Sequence, residues 1–441
     1  MALPLILISM MLATFLSTVT SSSYRIISAT AWLTSEDIYP DFSASLNNQQ
    51  FPTIFQYNYQ KYSTLLHCTS SNCSDIEMIQ MPGLNKAQLA YGGVLPRRIV
   101  QYSPLIEGAT LFLSTGYARP NRDTELVVCA PTDRQCSNPT VMNTVNCPGF
   151  GQLGLRLTFT QKQSNPIMLI PEARYASVDN RVTGFMIQSC KDPLCTLGFE
   201  STNRLPFNLT GQAWCMAASI DTQLNYLGYP SWLTQCCSEM NLINCLTDTC
   251  NETTTVQFRI NPDLIYFVYM AVDLQSRFFI VTTGNTSQTD ITYIRCLDPT
   301  CSQSNQNQLV VPQLHSASVI NKGKIVGTRV QIVIDPKTGL PILHYTGLLY
   351  PANIYTYLFI VCQDVDCDME NAIIIDYGTK MGLQRVAAHD LFIDDQQIVT
   401  IAMRVQYQNS TVMAFVRMAK SDQPEIEKLT LVEPKATETS F

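Results

Sequence analysis

The chain has 441 residues, of which 46% are hydrophobic and 14% are charged, and its formal net charge is −7. Charged residues usually make up about 25% of a globular domain, and here they form no long acidic or basic run. Nucleic-acid binding and electrostatic attachment to a membrane both depend on clustered Lys and Arg, so neither is expected. Uncharged polar residues replace the missing charges, which is typical of extracellular proteins.

Residues 1–22 predict a signal peptide. Their apolar run, LPLILISMMLATFL, has about 14 residues, which is too short to cross a membrane and suits a secretory signal. No later stretch reaches the roughly 18 consecutive apolar residues of a membrane-spanning helix. The 16 cysteines point to an oxidising compartment. The sequence therefore predicts a secreted, extracellular protein without a membrane span.

Five Asn-x-Ser/Thr sequons agree with export. They predict N-linked glycans on surface loops of a secreted protein. The five sites are Asn72, Asn208, Asn251, Asn285 and Asn409.

Twelve of the cysteines form local pairs that recur along the chain. Five pairs are spaced C-x4-C and one C-x6-C, and successive pairs begin 61, 61, 55, 51 and 66 residues apart. The predicted disulfides are Cys68–Cys73, Cys129–Cys136, Cys190–Cys195, Cys245–Cys250, Cys296–Cys301 and Cys362–Cys367. Met418 stands at the equivalent position of a seventh unit that lacks the pair. This period indicates repeats at about 24–85, 86–146, 147–205, 206–255, 256–312, 313–378 and 379–435.

Each repeat is predicted to contain about four short strands, because apolar residues alternate between turn signals and helical periodicity is absent. In chain order, the predicted second strands are FPTIFQYNY, ATLFLST, PIMLIP, LNYLGY, RFFIVTT, LPILHYT and QIVTIAM. The predicted third strands are STLLHC, ELVVC, FMIQSC, NLINC, ITYIRC, YLFIVC and AFVRM. First strands are less uniform, and the clearest are LRLTFTQ, TRVQIVID and QRVAAHDLFID.

Four-stranded units of this length are typical of β-propeller blades, which bury both faces by packing around an axis. We therefore predict an all-β fold over residues 23–441, a single β-propeller with about seven blades and disulfide-stapled hairpins. Six or eight blades are also compatible, because the N-terminal SYRIISATA or the C-terminal EKLTLV could close the ring. Tandem immunoglobulin-like sandwiches are the rival fold, but they need about 100 residues each and a cysteine pair that links two sheets.

The repeat at 313–378 carries a resemblance to a known family. It combines a G-L-P-I-x-x-Y turn and strand with a following C-x4-C hairpin. The matching residues are Gly339, Leu340, Pro341, Ile342, Tyr345, Cys362 and Cys367. This pattern resembles a propeller-type repeat of secreted and surface proteins, roughly DGLPVISYYD…LKVAKC…C, although Thr338 stands where that family has an Asp and the nearest Asp is Asp335. The resemblance implies the fold and no shared reaction.

The cysteine hairpins are interpreted as structural disulfides. Cysteines five positions apart face each other across a hairpin at a distance that suits a disulfide. Asp192, Asp298 and Asp364 follow two residues after the first cysteine, where a carboxylate accepts backbone N–H bonds and starts a turn. A redox site would need C-x-x-C, and a zinc site would need His at ligand spacing, so neither a metal nor a cofactor is expected.

Four cysteines lie outside the local pairs. One arrangement joins Cys215 to one of the adjacent residues Cys236 and Cys237, and Cys147 to the other. That arrangement would tie two neighbouring repeats together, and the pairing stays open at this stage.

Two groups of residues are candidate ligand contacts. The main group is Tyr345, Tyr350, Tyr355 and Tyr357, together with Asp364 and Asp366 in the next hairpin. A second group is Tyr226, Tyr229 and Trp232. Tyr and Trp on loops bind proteins and glycans well because they bury area at little entropic cost. The alternative is that they pack between blades.

The hairpin at 364–370 is also strongly acidic, with Asp364, Asp366, Asp368 and Glu370. Calcium could bind several carboxylates, but the hairpin lacks the Gly and the ligand spacing of a known calcium loop. A solvated acidic turn is the simpler interpretation.

No catalytic residue is assigned. His389 with Asp390, Asp394 and Asp395 is interpreted as a turn between strands, and the G-x-S-x-G elbow and the S-x-D-x-G-x-T-W box are absent from the sequence. The sequence favours a secreted binding or adhesion module whose propeller loops contact an extracellular protein or glycan. A polysaccharide-acting hydrolase or lyase with carboxylates at the propeller channel is one alternative, and a structural surface or matrix component is another.

Overall fold

The structure is a computed structural model. It describes residues 23–33, 38–46, 51–58, 63–70, 73–81, 99–102, 110–114, 125–130, 133, 137–138, 140–143, 156–159, 165–176, 179–206, 218–236, 239–259, 268–283, 290–312, 324–350, 354–422 and 424–436. Within these residues the fold is all-β, with a single short helix. No helix in these ranges is long and apolar enough to cross a membrane.

The described strands form seven sheets of four or five strands. Sheet 1 contains β2 (Ile38–Leu46), β3 (Pro52–Asn58), β4 (Ser63–Cys68) and β5 (Ile76–Met81). Sheet 2 contains β6 (Ile99–Tyr102), β7 (Thr110–Ser114), β8 (Glu125–Cys129) and β9 (Thr140–Asn143). Sheet 3 contains β10 (Arg156–Phe159), β11 (Pro166–Ala176), β12 (Asp179–Cys190) and β13 (Phe199–Pro206). Sheet 4 contains β14 (Ala218–Leu224), β15 (Pro230–Cys236), β16 (Glu239–Cys245) and β17 (Thr253–Arg259).

The other three sheets follow the same order. Sheet 5 contains β18 (Val268–Val272), β19 (Phe278–Thr283), β20 (Asp290–Cys296) and β21 (Ser304–Val310). Sheet 6 contains β22 (Lys324–Ile334), β23 (Pro341–Tyr350), β24 (Ile354–Val361) and β25 (Ile373–Asp376), and helix α1 (Tyr377–Met381) follows it. Sheet 7 contains β26 (Val386–Ile393), β27 (Val399–Tyr407), β28 (Ser410–Ser421) and the N-terminal strand β1 (Ser23–Leu33).

The sheets close into a ring. The first strand of each sheet contacts the first strand of the next, from β2 through β6, β10, β14, β18 and β22 to β26, and β26 contacts β2 again. Each of these strands is therefore innermost in its sheet, which is the arrangement of a β-propeller. The predicted β-propeller is confirmed, and the rival of tandem sandwiches is excluded.

Both ends of the chain help to close the ring. Strand β1 pairs antiparallel with β28 from Ser23↔Ser421 to Leu33↔Val412, so the N-terminal segment supplies the fourth strand of sheet 7. The short strand β29 (Thr430–Leu431) then pairs parallel with β1, and β30 (Lys435–Ala436) pairs parallel with β5 of sheet 1. The two predicted closing segments thus act together, and β1 belongs to the sheet of the last repeat.

The core lies between neighbouring sheets, so middle strands are buried on both faces. In β19, Phe278 and Ile280 pack toward sheet 4, whereas Phe279 and Val281 pack toward sheet 6. All six residues of this strand are buried. Continuous apolar strands such as RFFIVTT follow from this double burial.

Six of the seven predicted second strands and all seven predicted third strands overlap the observed ones. The exception is LNYLGY, which was predicted as the second strand of repeat four. Residues 225–229 form the turn after β14, and the second strand is PSWLTQC. This segment forms a turn rather than a strand because the Asn225 side chain accepts backbone N–H bonds from Leu227 and Tyr229, and Gly228 adopts a φ of 75°.

Candidate binding groove

The cysteine hairpins connect the third and fourth strands of each sheet. In the five described disulfides the Cα atoms of the paired cysteines lie 4.7 to 5.0 Å apart. The second cysteine of each pair has a φ between 54° and 58°, in the left-handed region. Cys129 is also disulfide-bonded, whereas its predicted partner Cys136 lies outside the described residues. The predicted local disulfides are therefore confirmed where the structure describes both cysteines.

Each disulfide is also part of the core between its sheet and the preceding sheet. Cys245 and Cys250 pack with residues of sheet 3, and Cys362 and Cys367 pack with residues of sheet 5. Met418, which stands in the cysteine position of sheet 7, packs in the same way against sheet 6 and is fully buried. An apolar thioether thus fills the space of a disulfide, which explains how the seventh unit dispenses with the pair.

The predicted turn-forming carboxylates have the expected role. Asp298 accepts hydrogen bonds from the backbone N–H groups of Thr300, Ser302 and Gln303. Although its partial burial opposes the shift, these bonds and the hydroxyl bonds from Thr300 and Ser302 lower the pKa of Asp298. Asp192 likewise accepts from Leu197 N and Thr196 Oγ1. These carboxylates stabilise the hairpins in their ionised form.

A second recurring turn, which the sequence analysis missed, joins the first and second strands of sheets 4 to 7. An Asp or Asn side chain ends the first strand and accepts backbone N–H bonds from residues two to four positions further on. These buried residues are Asn225, Asp273, Asp335 and Asp394. The residue two positions before the second strand has a positive φ, at Gly228, Ser276, Gly339 and Gln397. The signal in the sequence was an Asp or Asn three or four residues before Gly, Ser or Gln.

The two kinds of turn lie on the same face of the ring. Successive strands of a sheet are antiparallel, so the turns after the first and third strands lie at one end and the connections after the second strand lie at the other. We call the end with the cysteine hairpins the disulfide face.

The acidic hairpin of sheet 6 is docked onto sheet 5. Tyr293 Oη, on β20, donates to the carbonyl oxygen of Val365 at 2.5 Å. Arg295, two residues along the same strand, lies 3.2 Å from the Asp366 carboxylate. Burial, with the nearby Asp366 charge, raises the pKa of Tyr293, so its hydroxyl stays protonated and acts as a donor. These contacts hold the predicted ligand-binding residues Asp364 and Asp366 in a fixed position.

An open groove of about 810 Å³ lies between this hairpin and strand β21. One wall is β21, whose residues Gln306, Asn307 and Gln308 are exposed. The opposite wall is residues 366–370, which include Asp366, Asp368 and Glu370. The buried side chains of Leu309 and Met369 also line the groove. The groove therefore offers carboxylates and amides above an apolar base.

Strand β21 forms one edge of sheet 5 in the described structure, because β20 is its neighbour on one side and no described strand pairs with the other. The Leu297 N–H bonds to the Gln303 carbonyl, so the alternation of an antiparallel pair turns the main-chain groups of Gln306 and Gln308 away from β20. Backbone donors and acceptors thus add to the polar groups of this region.

The four candidate tyrosines lie in strands rather than in a connecting loop. Tyr345 in β23 and Tyr357 in β24 are each 1% exposed and pack between sheets. Tyr355 is half-buried against the same core as Tyr357, and the side chain of Tyr350 lies outside the described residues. The structure therefore places Tyr345 and Tyr357 in the core and not in the groove.

Helix α1 covers the side chain of Tyr357 and contributes to its burial. A Cβ atom added at Gly378 would lie 2.1 Å from the Cδ2 of Tyr357, so the helix packs directly against the ring. Asp376 caps the helix by accepting from Thr379 N at 3.1 Å, and Gly382 ends it with a φ of 66°.

Two carboxylates on innermost strands accept backbone hydrogen bonds from the neighbouring sheet. Asp221 on β14 accepts from the backbone N–H of Met270 in sheet 5 at 2.7 Å, and Gln223 donates to the Met270 carbonyl. Asp390 on β26 accepts from the Ala44 N–H of sheet 1 at 2.9 Å. Asp221 and Asp390 therefore connect neighbouring sheets.

The other parts of the predicted His/carboxylate cluster are engaged in a turn. Asp394 caps the turn between β26 and β27 and pairs with Arg417 at 3.2 Å. The side chain of His389 lies outside the described residues. Within the described part of the chain, no group of three or more His, Cys, Asp or Glu side chains is placed to hold one metal ion.

The remaining candidates divide between surface and core. Trp232 is fully buried, whereas Tyr226 is 48% exposed on the disulfide face. Two sequon residues, Asn251 and Asn409, are exposed, and the other three lie outside the described residues. Cys236 ends β15, and Cys147, Cys215 and Cys237 lie outside the described ranges, so the pairing of the four extra cysteines stays a prediction.

The ring and the groove define a β-propeller with a candidate ligand surface, and known structures are similar to the chain at low sequence identity. The polysaccharide lyase Uly1 is 8% identical with a TM-score of 0.50, and the match covers 90% of this chain and 99% of that one. A protein of unknown function from Dyadobacter fermentans is 8% identical (TM-score 0.49, 90% and 99% covered). The SapL1 lectin is 9% identical (TM-score 0.40, 77% and 97% covered). Neither a protein-family model nor a curated protein matches the chain.

Proposed function

We propose that the protein is a secreted binding module that holds a glycan in the groove between β21 and the acidic hairpin. The observation that carries this proposal is the lining of the groove. Carboxylate and amide oxygens accept from sugar hydroxyls, and amide N–H groups donate to them. The apolar base at Leu309 and Met369 can cover the C–H face of a sugar ring.

Export and glycosylation are part of the same proposal. Residues 1–22 act as a signal peptide, and residues 23–441 form the propeller outside the cell. The five disulfides for which the structure describes both cysteines are buried, and they support an oxidising compartment. Exposed Asn251 and Asn409 are accessible for glycan attachment.

We favour binding over catalysis because two described carboxylates near the axis are already engaged in hydrogen bonds. Asp221 and Asp390 already accept backbone N–H bonds from the neighbouring sheet. A hydrolase needs a carboxylate pair free to act on the glycosidic bond. Similarity to Uly1 supports the fold and not its activity, because a fold does not imply a function.

A glycan array probed with the folded, disulfide-bonded protein tests the proposal. We expect a glycan ligand whose affinity falls on the order of tenfold in Asn307→Ala and in Glu370→Ala, since each variant removes side-chain hydrogen-bonding groups from one wall. Glu433→Ala is the matched control, because Glu433 is an exposed carboxylate outside the groove. Calorimetric titration of the array ligand gives the affinities.

Three results would count against the proposal. A glycan that binds equally well to both groove variants would place the site elsewhere, and cleavage of the glycan by the wild-type protein would favour the enzyme. Absence of any glycan ligand would favour a protein partner. A protein partner would also fit the disulfide face, where Leu197, Leu274 and Leu297 are exposed.

A further inference from the structure

Arg404 is a buried arginine that has no anionic partner among the described residues. It lies on β27, its side chain points between sheets 7 and 1 with Ala402, and the residue is 9% exposed. Its Nε atom is buried and has no hydrogen-bond partner. No carboxylate among the described residues forms an ion pair with it. A cation removed from water without a counter-charge destabilises the fold.

Three other described arginines are paired with a carboxylate. Arg417, on the adjacent strand β28, is buried to a similar degree and lies 3.2 Å from Asp394. Arg277 lies 2.6 Å from Asp273, and Arg295 lies 3.2 Å from Asp366. Arg404 thus differs from these three arginines, whose guanidinium groups each lie beside a carboxylate.

A second arginine lies beside Arg404. The Arg385 carbonyl accepts from Gln406 N, and Gln384 N donates to the Gln406 carbonyl, so the segment before β26 runs along the end of β27. Arg385 is exposed, and the register pairs Val386 with Val405 and Ala388 with Arg404. Burial, with the like charge of Arg385, lowers the pKa of Arg404.

The pair lies at the end of sheet 7 opposite the disulfide face. Strand β26 begins there, and β26 is the innermost strand of its sheet. Arg385 therefore lies next to the ring axis at the mouth of the channel, with Arg404 beneath it in the sheet. Arg385 is open to solvent, whereas Arg404 is almost enclosed.

We propose that Arg404 and Arg385 form an anion-binding subsite for a carboxylate, sulfate or phosphate group of a ligand. The planar guanidinium of Arg404 can donate two parallel N–H bonds to two oxygens of such a group. The anion would offset the two like charges, and the low exposure of Arg404 restricts the site to a terminal or protruding group. This subsite is separate from the groove and does not depend on the function proposed for it.

The test is a titration of sodium sulfate, phosphate and glucuronate against the full-length protein, at ionic strength held constant with chloride. Thermal unfolding and calorimetric binding are compared for the wild type, Arg404→Met and Arg417→Met. Arg404→Met removes the unpaired charge and keeps most of the volume. Arg417→Met removes a paired guanidinium of the same sheet and leaves the buried Asp394 without its partner.

We expect at least one anion to raise the unfolding midpoint of the wild type and of Arg417→Met. Arg404→Met should bind that anion on the order of tenfold more weakly or worse. Without the anion, Arg404→Met should unfold at the wild-type midpoint or above it, whereas Arg417→Met should unfold below it. The three anions separate a uronate-like carboxylate from a sulfate ester or a phosphate.

The proposal is overturned if the wild type and Arg404→Met respond equally to all three anions, since the response is then a general salt effect. It is also overturned if Arg404→Met without anion loses as much stability as Arg417→Met. That result would mean that the Arg404 guanidinium already has structural partners.

Discussion

At the scale of single residues, His344 shows how closely the sheets pack. It lies on β23, is fully buried, and its Nε2 is 2.5 Å from the hydroxyl oxygen of Tyr377 in helix α1. Burial lowers the pKa of His344 from 6.5 to about 3. The folded protein therefore keeps His344 neutral at pH values where the same histidine is protonated in the unfolded chain.

The stability of the protein should accordingly fall in mild acid. Because the pKa of His344 is depressed on folding, its contribution is fully present above about pH 6.5 and is lost as the pH falls toward its folded value. Relative to His344→Gln, which has no titrating group at this position, the wild type should lose up to about 1.4 kcal/mol per pH unit between about pH 6 and pH 4.5. Urea unfolding at several pH values measures the difference.

The lower pH limit keeps the carboxylates out of the comparison. Asp192 and Asp298 have lowered pKa values, so their contribution is lost below about pH 4, where carboxylates of the unfolded chain protonate. Equal slopes for the wild type and His344→Gln would show that His344 does not control the acid response.

At the scale of elements, the turn between the first and second strands tests the meaning of a positive φ. Ser276 and Gln397 adopt φ values of 59° and 64°, where Gly228 and Gly339 serve in the other sheets. A residue with a Cβ atom destabilises the folded state by about 1–2 kcal/mol when its backbone is left-handed. Replacing it by glycine removes this strain, but glycine loses more backbone entropy on folding, which offsets part of the stabilisation. Ser276→Gly and Gln397→Gly should each stabilise the protein by about 0.5–1 kcal/mol, as measured by urea unfolding.

The reverse substitution is the control for this prediction. A Cβ atom at Gly339 would meet no atom within 4 Å, so Gly339→Ser adds backbone strain without a steric clash. It should destabilise the protein by about 1 kcal/mol. If all three substitutions shifted stability in the same direction, the backbone conformation would not be the cause.

At the scale of the whole molecule, the period of the cysteines was enough to predict the propeller. Each pair follows a third strand, so one repeated signal placed the strands of most sheets in order. The missing pair in sheet 7 did not hide it, because Met418 and the apolar alternation around it remain.

The candidate site was harder to predict, because it depends on contacts between repeats. Sequence reasoning singled out the acidic hairpin but could not place it beside β21, which belongs to another sheet. It named Tyr345 and Tyr357 as candidate ligand contacts and kept packing between blades as the alternative, because tyrosine suits both a binding loop and a core. Burial between sheets is a tertiary property that decides between the two. Arg404 gave no sequence signal, since its distinction is the absence of a described counter-charge.

Closure of the ring by β1 makes a prediction about cooperativity. Trp32 on β1 packs against Phe415 with ring centroids 5.4 Å apart, whereas Trp232 lies in sheet 4, three sheets away. The Ala31 carbonyl points away from β28 toward Val432 N, so the neighbouring Thr30 directs its N–H at β28, opposite Phe415. Thr30→Pro should remove that bond and weaken closure.

If the ring unfolds as one unit, Thr30→Pro lowers the urea midpoint equally for both tryptophans, although Trp232 is remote from the substitution. Fluorescence of two single-tryptophan variants, in which Trp214 and either Trp232 or Trp32 are replaced by Phe, reports each site separately. Thr30→Val, which keeps the backbone N–H, should have a smaller effect on both. Loss of the Trp32 signal at lower urea with an unchanged Trp232 transition would mean that β1 detaches without opening the ring, because each sheet would then depend on its immediate neighbours alone.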